Sequence, residues 1–217
     1  MNLWKGFEPL TFNKFFYALV QMFFRGIFFL YNRFSIKWVE PLSGDKNVIV
    51  ACNHCSNLDP LVVGVAFPRR LRYFAKEELF RPLLLGPIIR VLGAVPVSRV
   101  DNASAASALK GFFRLLEEGN DVLIFPEGSR SPDGTLQPLE GGVGLIAAHS
   151  GASILPVFIS GTYRALPPGA FLFRPAKISV TFGKLLTFDA ETCRGKGARE
   201  KIVTALTEAL RELESGS

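Results

Sequence analysis

Short apolar runs and longer segments of helical periodicity alternate along most of this chain. The runs predict strands at 47–52, 71–75, 94–97, 121–125, 154–159 and 177–182. The longer segments predict helices at 60–67, 82–92, 104–118, 142–149 and 198–213. Strands that alternate with helices predict an α/β fold with a mixed, largely parallel sheet and flanking helices.

The first 40 residues follow a different pattern, because nine of the 20 Phe residues lie within the first 34 positions. The apolar run 15–31 contains Gln21 and Arg25 and is shorter than the roughly 20 residues of a membrane-spanning helix. On a helical wheel its polar residues share one narrow stripe, formed by Lys14, Gln21, Arg25 and Asn32. This pattern predicts an amphipathic helix that lies in a membrane interface or dips into one leaflet, with a buried core helix as the alternative.

Composition limits the organisation and the partners of the chain. A length of 217 residues suits one domain with an appended segment, and the change of composition near 40–46 separates the two. We therefore expect a membrane-associating helical segment at 1–40 and an α/β domain at 41–217. Lys and Arg number 25 against 19 Asp and Glu, so anionic partners such as lipid or phosphate are favoured.

The first candidate chemistry follows the strand predicted at 47–52. His54 and Asp59 are five residues apart, which is about 140° around a continuous helix, so on such a helix they would not share a face. They meet only if His54 ends the strand and Asp59 begins the next helix, and Pro60 favours that helix start. The carboxylate would then fix the imidazole tautomer and leave Nε2 as a base. Alternatively, Asp59 only caps the helix and His54 is a turn residue.

A second candidate site is the sequence Phe-Pro-Glu-Gly-Ser-Arg-Ser at 125–131, directly after a predicted strand. Open α/β sheets bind ligands at such strand ends. Gly128 would let backbone N–H groups approach an anion, and Arg130 offers a fork for phosphate. Arg99, after the strand at 94–97, is a third candidate, although an Arg at such a position is often only a solvated edge residue.

Redox and metal chemistry are weaker interpretations of this sequence. Cys52 and Cys55 have the C-x-x-C spacing, but Cys52 ends an apolar strand, whereas a thioredoxin-like motif opens a helix. Zinc needs about four ligands, and only Cys193 and His149 remain as further Cys and His residues. We therefore predict no metal and no cofactor.

Four blocks in this order resemble the phospholipid/glycerol acyltransferase family over residues 47–161. They are Asn-His-Cys-Ser-Asn-Leu-Asp at 53–59, the run from Gly93 to Arg99, the block at 125–131, and Leu-Pro-Val at 155–157 followed by Gly161. The chain departs from the family at 139–142, where Leu-Glu-Gly-Gly stands in place of a sequence that often contains basic residues.

The resemblance implies roles for individual residues. His54 would be the general base on the acceptor hydroxyl, and Asp59 would orient it and stabilise the imidazolium. Arg99 and Arg130 would hold the acceptor phosphate. Glu127 and Gly128 would position its glycerol part, with a structural role as the alternative for Glu127. Ser129 belongs to the same substrate-binding block.

The resemblance also implies an O-acyltransferase of phospholipid biosynthesis. It would move an acyl chain from acyl-CoA or acyl carrier protein to the free hydroxyl of 1-acylglycerol 3-phosphate, giving phosphatidic acid. We expect a peripheral or monotopic protein on the cytoplasmic face of the cell membrane, with no nucleic-acid partner. Glycerol 3-phosphate and a lyso-aminolipid are alternative acceptors, and a non-catalytic membrane lipid-binding module is the alternative of another class.

Overall fold

The computed structural model describes residues 14–44, 46–83, 85–97 and 104–216. The helices are α1 (Lys14–Asn32), α2 (Asp59–Ala66), α3 (Leu85–Val91), α4 (Ser104–Glu117), α5 (Gly142–Ser150), α6 (Thr162–Ala165), α7 (Ala190–Arg194) and α8 (Ala198–Ser215), with a 3-10 helix at Glu77–Phe80. The strands are β1 (Ser35–Trp38), β2 (Ile49–Cys52), β3 (Leu71–Lys76), β4 (Ala94–Val97), β5 (Asp121–Ile124), β6 (Ile154–Ser160) and β7 (Ser179–Phe182).

The strands of the described residues form one mixed sheet in the order β1-β7-β6-β2-β5-β3-β4. The five strands from β6 to β4 run parallel, β7 is antiparallel to β6, and β1 is parallel to β7. The predicted fold class is therefore confirmed. The central strands are buried on both faces, which is why they appear in the sequence as continuous apolar runs.

Helices cover both faces of the sheet. Val50 and Cys52 of β2 point into the core shared with α1 and α2, whereas Ile49 and Ala51 point into the core shared with α4, α5 and α8. This alternation is the two-residue period of a strand. Because the central strands are parallel, the segments that follow β2 and β5 emerge at the same edge of the sheet.

Strand β1 is the main element that the sequence did not predict. It pairs with β7, and its Trp38 ring stacks on Phe182 with centroids 3.9 Å apart. Only four residues long and with Lys37 exposed, it lacks the apolar run that marks the central strands. It also lies on the amino-terminal side of the boundary expected near 40–46. The short helices α6 and α7 were likewise not predicted.

Gln21 and Arg25 of the polar stripe on α1 bond to the protein. Gln21 Nε2 donates to the carbonyls of Gly64 (2.7 Å) and Phe67 (3.1 Å), and Arg25 Nη2 donates to the carbonyl of Val65 (3.0 Å). These carbonyls lie at the carboxyl end of α2, where helix geometry leaves acceptors without partners inside the helix. Gln21 and Arg25 therefore cap the carboxyl end of α2, although the Arg25 side chain is also exposed.

The opposite face of α1 is exposed and apolar. Its exposed large side chains are Phe15, Phe16, Leu19, Met22, Phe23, Phe29, Leu30 and Tyr31. This polarity is the reverse of a surface helix in a soluble protein, whose apolar face is turned inward. Among the described residues α1 is also long and apolar enough, by length and composition, to cross a membrane, whereas the apolar run 15–31 in the sequence is shorter than a spanning helix needs.

Candidate active site

Residues 53–59 connect β2 to α2, and we call this segment the 53–59 turn. His54 follows β2 and Asp59 begins α2, with Pro60 in the first turn of the helix. His54 Nδ1 lies 2.9 Å from Asp59 Oδ2. The predicted condition for their meeting, a strand end followed by a helix start, is thus fulfilled.

Hydrogen bonds to Asp59 define the tautomer of His54. Asp59 Oδ2 also accepts from the backbone N–H groups of Cys55 and Ser56, each at 2.7 Å, and the carboxylate is fully buried. A carboxylate oxygen with this set of donors acts as an acceptor, so His54 Nδ1 carries the proton. The other ring nitrogen, Nε2, then has the free electron pair that a general base requires. The His54 side chain is 18% exposed, which leaves it accessible to substrate.

The imidazole ring of His54 packs on Phe125, the residue that follows β5. The ring of Phe125 stacks on that of His54, with centroids 4.0 Å apart and an interplanar angle of 21°. The stacking follows from the sheet, because Ala51 of β2 pairs with Ile124 of β5 and the next residues leave the same edge. The two sequence blocks predicted to carry chemistry therefore meet in space.

Glu127 holds the two blocks together. Its Oε1 accepts from the N–H of His54 at 2.6 Å, and its Oε2 accepts from the N–H of Gln137 at 2.9 Å. The side chain is buried; burial raises the pKa of its carboxyl, and these two hydrogen bonds oppose that rise. The N–H of Ser131 donates in return to the carbonyl of His54 at 2.7 Å. Because both oxygens of Glu127 bond within the protein, the geometry favours the structural role.

The guanidinium of Arg130 lies beside the 53–59 turn, where Nη1 donates to Asn57 Oδ1 at 2.6 Å. Gly128 and Ser129 are exposed between Glu127 and Arg130. The N–H of Gly128 donates to the carbonyl of Phe125 at 3.1 Å, so this N–H is used within the turn. The approach of other backbone N–H groups to an anion stays a prediction.

Glycine is favoured at position 128 by the backbone conformation. Its φ of 69° lies in the left-handed region, which residues with a Cβ rarely adopt, and the exposed carboxylate of Glu140 would have to shift to admit a Cβ. Arg99 lies outside the described residues, so the structure gives no position for this predicted phosphate ligand.

Two polar residues of the 53–59 turn have roles that sequence reasoning missed. The buried Asn53 side chain donates to the carbonyl of Ile159 at 3.0 Å and accepts from its N–H at 2.7 Å, which extends the pairing of β2 with β6. Ser56 Oγ donates to the carbonyl of Leu166 at 2.7 Å. The signal in the sequence was the presence of two polar residues in the short segment after a fully buried strand, where buried polar groups need hydrogen-bond partners.

The thiols near this site are poor nucleophiles. Burial raises the pKa of Cys52 well above its usual value and raises that of Cys55 to about 12, and the charge of Asp59 adds to both shifts. A protonated thiol is neither a strong nucleophile nor a good metal ligand. His149 contacts the ring of Phe113 in the α4–α5 layer, away from His54. Within the described ranges no three His, Cys, Asp or Glu side chains are grouped as a metal site.

Comparison with known proteins identifies relatives over most of this chain. Residues 33–160 match the family model described as Acyltransferase. The 1-acyl-sn-glycerol-3-phosphate acyltransferase of Bacillus subtilis is 30% identical over 81% of this chain and 85% of its own length. The chloroplast enzyme of the same name, LPAT1 from Arabidopsis thaliana, is 28% identical over 76% of this chain, which covers only 46% of that relative.

A solved structure shows the same fold. The crystal structure of the 1-acyl-sn-glycerophosphate (LPA) acyltransferase PlsC from Thermotoga maritima superposes with a TM-score of 0.77 at 28% identity. The match covers 93% of this chain and 80% of that one. The family match spans more than half of the sequence and includes both the 53–59 turn and the 125–131 block, so this chain belongs to the Acyltransferase family.

Proposed function

We propose that this protein transfers an acyl chain from an acyl thioester to the free hydroxyl of 1-acylglycerol 3-phosphate, giving phosphatidic acid. The observation that carries the proposal is the hydrogen-bonded pair of His54 and Asp59 at the sheet edge, beside the 125–131 block. The relatives from Bacillus and Thermotoga, which bear the name of this activity, support the choice of acceptor.

The proposed reaction needs a base but no covalent enzyme intermediate. His54 Nε2 takes the proton of the acceptor hydroxyl while its oxygen attacks the thioester carbonyl. The new C–O bond forms, the C–S bond breaks, and the imidazolium returns the proton to the departing thiolate. Asp59 stabilises that imidazolium through Nδ1. Acyl-CoA and acyl carrier protein both provide such a thioester, and we propose either as donor.

Substrate binding is assigned to the 125–131 block. Arg130, with Arg99 as its proposed partner, would bind the acceptor phosphate, and the exposed Gly128 and Ser129 would contact the glycerol part. Glu127 would act by holding this block against His54.

The test is an assay of purified protein with each donor and each acceptor, with the product lipid identified by mass spectrometry. Phosphatidic acid from lysophosphatidic acid and either donor is the expected product. Vesicle binding without product for every donor and acceptor would identify a non-catalytic lipid-binding module instead.

One contact near the proposed binding block favours a second acceptor class, a lysolipid that carries an ammonium group. The exposed carboxylate of Glu140 lies against Gly128, so an acidic group borders the proposed binding block. A lyso-aminolipid would place a cation where this carboxylate attracts it. If a lyso-aminolipid is acylated faster than lysophosphatidic acid, this second acceptor class is correct.

Replacing Arg130 with alanine should raise KM for a phosphorylated acceptor roughly 10- to 100-fold, the effect of losing one charge-assisted contact. KM for a neutral acceptor should change much less. The matched control is Arg211→Ala, an exposed arginine on α8. Steady-state kinetics with both acceptors test this, and equal increases for the two would show that Arg130 is structural.

We further propose that the 1–40 segment attaches the protein to the cytoplasmic face of the cell membrane, and that residues 41–217 carry out catalysis. Strand β1, which lies within the 1–40 segment, joins that segment to the sheet by pairing with β7. The exposed aromatic face of α1 supports this attachment. Acceptor and product are membrane lipids, and acyl thioesters are cytoplasmic, so catalysis at this surface brings the two substrates together.

Replacing Met22, Phe23 and Phe29 with serine should release the protein from lipid vesicles, because these exposed side chains would contact hydrocarbon. These substitutions test membrane contact more specifically than deletion of 1–34, because the deletion would also remove the buried Phe28 and Asn32. Sedimentation with vesicles measures the effect. High salt should not release the wild-type protein, since apolar burial is not screened; release by salt would identify an electrostatic attachment.

A further inference from the structure

The segment between α6 and β7 carries an exposed apolar tip, and we call residues 166–176 the 166–176 loop. Phe171 is fully exposed and Leu172 is 69% exposed. They follow a turn in which the N–H of Ala170 donates to the carbonyl of Pro167 at 3.0 Å. Two adjacent large apolar side chains at the end of a loop indicate an interaction surface.

The base of this loop is firmly attached. The N–H of Arg174 donates to the carbonyl of Ala165 at 2.8 Å, which closes the loop at its ends. Tyr31 Oη donates to the carbonyl of Phe173 at 3.3 Å, and Asn32 Nδ2 donates to that of Ala176 at 3.1 Å. The tip is therefore presented from a fixed base on the carboxyl end of α1.

The tip continues the exposed face of α1. The rings of Tyr31 and Phe173 are in contact, with centroids 5.1 Å apart. Tyr31 directly follows the exposed apolar pair 29–30 on α1, and Phe173 directly follows the exposed apolar pair 171–172 on the loop. The apolar surface of α1 thus extends across this contact onto the loop.

The charges around the tip indicate which partner it contacts. Residues 161–178 contain no Asp or Glu and three cations, the exposed Arg164, Arg174 and Lys177. An apolar tip with cations behind it matches a bilayer of anionic lipid, whose acyl chains accept the apolar side chains and whose headgroups attract the cations.

We propose that the 166–176 loop is a second membrane contact, which inserts Phe171 and Leu172 into the same anionic bilayer as α1. The proposal rests on the proposed function in that the acceptor is a membrane lipid. Insertion of the loop also has a consequence for catalysis. The loop begins at Leu166, whose carbonyl accepts from Ser56 of the 53–59 turn, so insertion of the tip holds His54 near the bilayer surface.

Sedimentation with vesicles of equimolar phosphatidylcholine and phosphatidylglycerol tests the proposal on the full chain. The variant Phe171→Ser/Leu172→Ser should partition at least about tenfold more weakly than the wild type. Its thermal midpoint should not change, because both side chains are exposed. The matched control is Leu145→Ser, an exposed leucine on α5 in the other helical layer.

A second variant measures insertion directly. In Phe171→Trp, the added fluorescence should be quenched by brominated lipid in the same vesicles. Unquenched fluorescence, or equal partition of the wild type and the double-serine variant, would overturn the proposal. So would wild-type dimerisation in lipid-free solution that the double-serine variant lacks, since it would assign the tip to a second copy of the chain.

Activity separates this proposal from the proposed function. The double-serine variant should acylate a soluble short-chain acceptor at the wild-type rate, because His54 and Asp59 are intact. It should acylate a vesicle-embedded acceptor more slowly, because its contact with the bilayer is weakened. A wild-type protein that acylates no acceptor would refute the proposed function, while the partition and quenching results would still decide on the loop.

Discussion

Replacing His54 with alanine is expected to reduce kcat for acyl transfer by roughly 10²–10⁴-fold, the usual contribution of a general base. The variant removes the ring whose Nδ1 is bonded to Asp59 and whose face is stacked on Phe125. The backbone contacts of residue 54 with Glu127 and Ser131 remain, because they do not involve the ring. Steady-state kinetics with a soluble short-chain acceptor measure the loss independently of membrane attachment.

Two further variants separate chemistry from structure. His149→Ala alters the other histidine of the chain, which packs on Phe113, and it should retain wild-type kcat. His54→Asn keeps an N–H donor beside Asp59 but has no base. Thermal melting should show that this variant is folded, and its kcat should be as low as that of His54→Ala. Retention of more than about a tenth of wild-type kcat in both His54 variants would refute the general-base mechanism.

The sequence predicted the central fold because its strongest patterns are local. The buried parallel strands appear as apolar runs, and Ala94–Val97 has the bounds that its run predicts. Strand β1 was not predicted, since its stability comes from pairing with β7 and stacking of Trp38 on Phe182, residues more than 140 positions away. Pairing at such sequence separation leaves no periodic trace in four residues.

The candidate site shows the same division between local and distant contacts. The strand end and the proline that follows Asp59 indicate how His54 and Asp59 can meet, although helix capping by Asp59 alone stayed an alternative. The role of Glu127 depends on which N–H groups of distant segments reach its two oxygens, and only the folded chain shows them. In the same way, the wheel of α1 gave the correct polar stripe but not its partner, because the carbonyls at the end of α2 lie some 40 residues further along.

Replacing Asp59 with asparagine is expected to lower kcat by roughly 10²–10³-fold, somewhat less than removal of His54. The amide oxygen can still accept from the N–H groups of Cys55 and Ser56, so the turn should persist. It carries no full charge, however, and therefore stabilises the imidazolium formed in the reaction much less. The effect should fall on kcat, with KM for the acceptor nearly unchanged, because Asp59 is buried and does not face the acceptor.

The stability of this variant provides an independent test of the same geometry. Asp59 Oδ1 is buried and has no hydrogen-bond partner among the described residues, so an amide NH₂ placed there would leave buried donors unpaired. We expect a loss of about 1–3 kcal/mol in the free energy of unfolding. Asp189→Asn makes the same chemical change at the exposed cap of α7, where the side chain accepts from Thr192, and should alter neither kcat nor stability. An Asp59→Asn protein with full kcat would show that the carboxylate only caps α2 and takes no part in the reaction.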